Sequence, residues 1–171
     1  MWNKIYLAVL GAAIVTMAIL TYYAGSWLGS IGAPQATKEF YEYYAKLASS
    51  FLWISSLILL IIANVLLWKT RRGWAMWTTF LYFTVFTIIQ YFWLEQSFFA
   101  YKKANGLSLG AFSWNPVIGV VSILAFAAIV FFDQFINLRL NNKMYVLQET
   151  AEEDLPLAAE EVLPPTAEEK A

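Results

Sequence analysis

Apolar residues in this chain run in four long blocks rather than in alternating or narrow-stripe patterns. The blocks cover residues 5–24, 49–68, 74–99 and 116–138. A helix needs about 20 mostly apolar residues to cross a hydrocarbon core of roughly 30 Å, so each block predicts one spanning helix. Pro116 suits the start of the fourth, where a helix has no use for an N–H donor. The fold class read from this pattern is all-α: a polytopic membrane protein, a four-helix transmembrane bundle occupying 1–143. An acidic tail, 144–171, follows it.

The polar intervals add detail. Residues 25–34 hold three glycines and a proline and read as loop. Residues 35–48 then regain helical spacing, with Phe40, Tyr43, Tyr44 and Leu47 at i, i+3, i+4, i+7 and Glu42 placed to support Lys46. No breaker separates this outer helix from the second block. One extended second helix of roughly 50 Å is therefore expected, about 20 Å of it beyond the hydrocarbon core. The interval 105–115, with Gly106 and Gly110, reads as irregular.

The tail is of another composition. Thr150-Ala151-Glu152-Glu153-Asp154-Leu155-Pro156 repeats as Ala158-Ala159-Glu160-Glu161-Val162-Leu163-Pro164 and again in part at Thr166–Glu169. Charge and prolines leave too little apolar area to offset the entropy of ordering, so disorder is expected. Leu155 and Leu163 could anchor a basic cytoplasmic partner.

Composition sharpens the membrane reading. Of 171 residues, 60% are hydrophobic and 13% charged, against about 25% charged in a typical soluble domain. All eight tryptophans fall near block boundaries, where the ring can be buried while its N–H stays near water. Charge divides along the chain: 10 basic and 4 acidic residues before 149, 1 basic and 8 acidic after. Lys4, Lys69, Arg71, Arg72, Arg139 and Lys143 on one side outnumber Lys38, Lys46, Lys102 and Lys103 on the other. By the positive-inside rule both termini are expected in the cytoplasm, in a plasma or bacterial inner membrane. The first block is read as a retained span, because it exceeds the 7–15 residues of a typical signal-peptide core.

Candidate chemistry is sparse. With neither cysteine nor histidine, disulfides, thiolate and Cys/His zinc sites, His-ligated haem and histidine bases are excluded. Phosphate-binding loops and nucleophile elbows are also missing from the sequence. No catalytic residue, metal ligand or cofactor is expected, and no nucleic-acid partner. Two carboxylates fall within the blocks. Asp133 lies roughly 25 Å along the fourth helix, level with Asn64 and Thr78, so the three could form one polar cluster. Glu95 sits near the far end of the third, with Lys46 or Lys102 as partners and Gln90 and Tyr91 one turn deeper. Neither lies at the midplane, where transport sites more often sit.

Two patterns concern packing. Trp77, Phe80, Phe83 and Phe86 recur every three residues and read as packing or lipid contact rather than a ligand face. Ala8, Ala12 and Thr16, with Gly11 beside them, form a small-residue face that lets another helix approach.

These features imply a non-catalytic integral membrane interaction protein: an accessory subunit, assembly factor or scaffold. The bilayer and a membrane protein partner or second copy are its expected partners. Phe40, Tyr43 and Tyr44 outside, and Leu155 and Leu163 inside, are the expected contact residues. A small transporter or channel subunit using Glu95 and Asp133 is the alternative, and a lipid- or quinone-handling membrane protein a further one.

Overall fold

The computed structural model of the chain describes residues 2–29, 32–70, 73–109 and 115–153, with backbone alone at 29, 70, 138 and 141–153. Every regular element among them is helical. Helix α1, Trp2–Gly25, runs into a 3-10 turn at Ser26–Gly29; α2 is Pro34–Thr70; α3, Trp74–Thr87, passes through a π-helix at Ile88–Leu94 into α4, Glu95–Ala104; α5 is Pro116–Glu153. Four helical segments are long and apolar enough to cross a membrane: Trp2–Leu28, Pro34–Lys69, Trp74–Ala104 and Pro116–Asn137.

The element ends follow local chemistry. Prolines occupy the first helical position of α2 and α5. Asn115 caps α5, its side-chain oxygen accepting the Val117 N–H at 3.0 Å. The third helix continues to Ala104, past the expected end at 99, because Tyr101-Lys102-Lys103 are polar but helix-compatible. It stops at Gly106, whose φ of 63° lets the Leu107 N–H turn back onto the Lys102 carbonyl at 3.0 Å. Helix α5 is helical to Glu153, where disorder was expected from 144. No glycine or proline interrupts 141–153, and the first such breaker is Pro156. The remainder of the tail, with Leu155 and Leu163, lies outside the described residues.

The chain divides into two units, Met1–Phe131 and Phe132–Ala171. In the first, one core joins α1, α2, α3 and the first half of α5. Tyr6, Leu10, Ala13 and Met17 of α1 meet Leu52, Leu59, Leu60, Ala63 and Leu66 of α2. Ala75, Met76, Tyr82 and Phe83 of α3 and Phe126 and Val130 of α5 complete it. Hydroxyls tie the helices to one another. Tyr6 Oη donates to the Ala75 carbonyl at 2.7 Å and lies 2.9 Å from Thr79 Oγ1. Ser55 and Tyr82 hydroxyls meet at 2.9 Å. Phe83 and Phe126 stack with centroids 4.2 Å apart, and Trp53 abuts Phe83 edge-on at 4.7 Å. Trp53 thus packs inside the bundle.

A second, aromatic cluster closes the end of the bundle next to the 3-10 turn. Trp27 wedges between Tyr41, Phe98 and Tyr101, and Tyr41 stacks on Phe98 at 3.8 Å. Lys38 Nζ donates to Ser108 Oγ at 3.1 Å across the same end. The N-terminal half of α2 is therefore braced by α4 and the 3-10 turn.

Candidate functional site

The π-helix is the feature that builds a site. In an α-helix, residues five apart point about 140° away from each other. Here the Glu95 N–H bonds to the Gln90 carbonyl, the i to i−5 link of a widened turn. That link sets Gln90 and Glu95 over one another, so both line one cavity. α5 crosses the widened turn at a glycine. A Cβ on Gly119 would come within 2.8 Å of Tyr91 Cδ1 and 2.9 Å of Phe92 Cε2, closer than two carbons pack.

The cavity holds about 220 Å³. Tyr41, Ala45, Lys46 and Ser49 reach it from α2; Gln90, Tyr91, Leu94 and Glu95 line it from the other helix, and Ala24 closes it from α1. Tyr41 Oη donates to Glu95 Oε2 at 2.8 Å, a charge-assisted bond. Stacking on Phe98 holds the Tyr41 ring for that bond. Gln90 Nε2 is buried and has no hydrogen-bond partner among the described residues. The site thus offers an anion, a cation, an unused amide donor and an apolar floor.

The expected partners of Glu95 sort differently. Lys46 shares its cavity, whereas Lys102 is buried with its ammonium 5.0 Å from the Phe98 ring centroid. Tyr41, missed in the sequence, is the residue bonded to it. One signal was there: Thr37, Tyr41 and Ala48 follow helical spacing on a face turned away from Phe40, Tyr43 and Leu47, and this second face is the buried one.

The remaining candidates stand as follows. Asn64 Nδ2 donates to the Leu60 carbonyl at 3.2 Å and Thr78 Oγ1 to the Trp74 carbonyl at 2.9 Å, each back along its own helix. Asp133 belongs to the second unit. There Asn137 Nδ2 donates to the Asp133 carbonyl at 2.9 Å and reaches its carboxylate at 3.4 Å. Phe40 and Tyr43 are 41% and 65% exposed. Tyr44 is half-buried and stacked on Tyr23, with centroids 5.3 Å apart. Trp77, Phe80, Phe83 and Phe86 do not share a face: Phe83 is in the core, Trp77 is exposed, and the other two are intermediate. Ala8, Gly11 and Ala12 lie on the exposed side of α1 and Thr16 at its edge, and nothing lies within 4 Å of a Cβ built on Gly11.

Among the described residues, no group of three Asp or Glu side chains comes together as metal ligands would. Comparison with known proteins leaves the reading with the geometry: no protein-family model, no curated protein and no solved structure matches this chain.

Proposed function

We propose that this chain is a non-catalytic integral membrane interaction protein, an accessory subunit, assembly factor or scaffold of a larger membrane complex. The observation that carries the reading is the outward direction of Ala8, Gly11 and Ala12 on α1. Small residues let helix backbones approach closely in lipid, and here none of that closeness is used within the described chain. The polar groups point the same way. Tyr6, Thr79, Ser55 and Tyr82 are engaged in helix-to-helix bonds, which is work done for packing. Phe40 and Tyr43 supply exposed aromatic contact area beyond the apolar run of α2. Both termini are assigned to the cytoplasm, with the acidic tail available to a basic partner.

The test is purification of the tagged full chain from its own host in mild detergent, with mass spectrometry of what accompanies it. The reading expects a stoichiometric membrane partner or a second copy, lost on Gly11→Leu. A clean monomer unaffected by that change would contradict it.

A second reading rests on the cavity at Glu95. A small transporter or channel subunit would use Glu95 and Asp133 and would lose flux in liposomes on Glu95→Gln or Asp133→Asn. Loss of assembly with flux retained would speak against it.

A further inference from the structure

We propose that the cavity between α2 and the π-helix binds the headgroup of a phospholipid in which a primary ammonium is joined to a phosphate. Three independent observations lead there.

The first is the charge pattern. Glu95 and Lys46 line the same 220 Å³ space, so an anion alone meets a carboxylate and a cation alone meets an ammonium. A zwitterion satisfies both. Its ammonium supplies N–H donors to the Glu95 carboxylate, beside the bond from Tyr41. Its phosphate accepts from Lys46 Nζ and from Gln90 Nε2, the buried donor that has no partner among the described residues. A buried amide donor without an acceptor is costly, and the ligand's phosphate removes that cost.

The second is size. Pockets for whole drug-sized ligands start at about 300 Å³. This one is smaller and takes a headgroup whose acyl chains stay outside.

The third is position. Ala24 and Ser49, both cavity-lining, stand at the ends of the first and second apolar blocks. Tyr22, Tyr43 and Trp93, each within two residues of a lining residue, are exposed at this level. Exposed Tyr and Trp mark the membrane–water interface, where phospholipid headgroups lie. A lipid is therefore favoured over a free phosphate ester.

The test uses the full chain in nanodiscs containing equal parts of phosphatidylethanolamine and phosphatidylcholine, with retained lipid read by native mass spectrometry. The quaternary amine of choline has no N–H to donate. Ethanolamine lipid should be retained over choline lipid by about tenfold, the worth of one hydrogen bond to a charged group. Glu95→Gln should bring the ratio near unity, Lys46→Gln should lower the retention of both lipids through the phosphate they share, and Lys69→Gln at the opposite end should change neither. The ratio is read on folded protein, so lost stability does not mimic the effect. If Glu95→Gln fails to fold, the fall in total lipid retention in Lys46→Gln carries the test. Equal retention of the two lipids, or undiminished retention of both in Lys46→Gln, would overturn the proposal. So would equal occupancy by free O-phosphoethanolamine in lipid-free detergent, which would assign the site to a soluble zwitterion.

Discussion

The Tyr41 hydroxyl meets Glu95 Oε2 at 2.8 Å, and this bond joins the N-terminal half of α2 to the turn where the π-helix ends. The same tyrosine ring stacks on Phe98, so one side chain holds both the polar and the apolar side of the joint. Tyr41→Phe keeps the stack and removes the donor. Stability in detergent should fall by about 1.5–3 kcal/mol, the range for hydrogen bonds to charged groups. Tyr41→Ala, which also empties the stack, should cost roughly 3–5 kcal/mol. Thermal unfolding of the two variants beside Glu95→Gln and the Tyr41→Phe/Glu95→Gln double variant checks the assignment. Additive losses would show that the two residues are not coupled.

Gly119 is required by the close approach of α5 to Tyr91 and Phe92. Gly119→Val should force the helices apart at a cost of about 1–3 kcal/mol, and Gly119→Ala should do less because ring atoms can shift. Gly11→Ala, with open space around its Cβ, should leave the isolated monomer unharmed. Unfolding curves of the three variants in the same detergent provide the comparison. Equal losses at Gly119 and Gly11 would mean that α5 does not cross the π-helix at Gly119.

Phe126 and Phe131 are five residues apart on α5 and have opposite surroundings. Phe126 is fully buried against Phe83, whereas Phe131 is 71% exposed. Phe126→Ala should cost about 3–5 kcal/mol through the cavity it leaves. Phe131→Ala should stay within about 0.5 kcal/mol, as an exposed substitution does. Similar effects at the two sites would contradict the inward face assigned to α5.

The Tyr6 hydroxyl clamps α1 to α3 through the Ala75 carbonyl and Thr79. Tyr6→Phe should lower stability by about 0.6 kcal/mol and no more than about 1.7, the range for interhelical hydrogen bonds in a membrane protein. Thr79→Val should not add to it fully, because both hydroxyls serve one small network. A double-mutant cycle measured by denaturant titration decides the point.

Much of the fold was legible because block length alone answers to membrane thickness. Four apolar blocks became four helical segments long enough to span, and Pro116 stands where a helix must begin. Periodicity did less well in its detail. Trp77, Phe80, Phe83 and Phe86 share a spacing of three, but on a helix that spacing drifts around the axis, so they part between core and exposed surface. The outer helix carried two competing faces, and the less aromatic one is buried, with Tyr41 stacked on Phe98 and bonded to Glu95. The π-helix left no periodic trace. Gln90 and Glu95 are five apart, a spacing that a regular helix separates and a widened turn unites. The cavity's composition was therefore visible in part, as Glu95, Lys46 and Gln90, while its construction was not.

The central claim is that α1 offers its small-residue face to another helix, and the chain's lack of cysteine makes that directly measurable. Single cysteines at Ala12, on the exposed side, and at Ala13, in the core, would be cross-linked in native membranes with a short bifunctional reagent. A single adduct of defined mass from Ala12→Cys, with none from Ala13→Cys, is the predicted result. No adduct at either position, or the same adducts at both, would contradict an interaction face on α1.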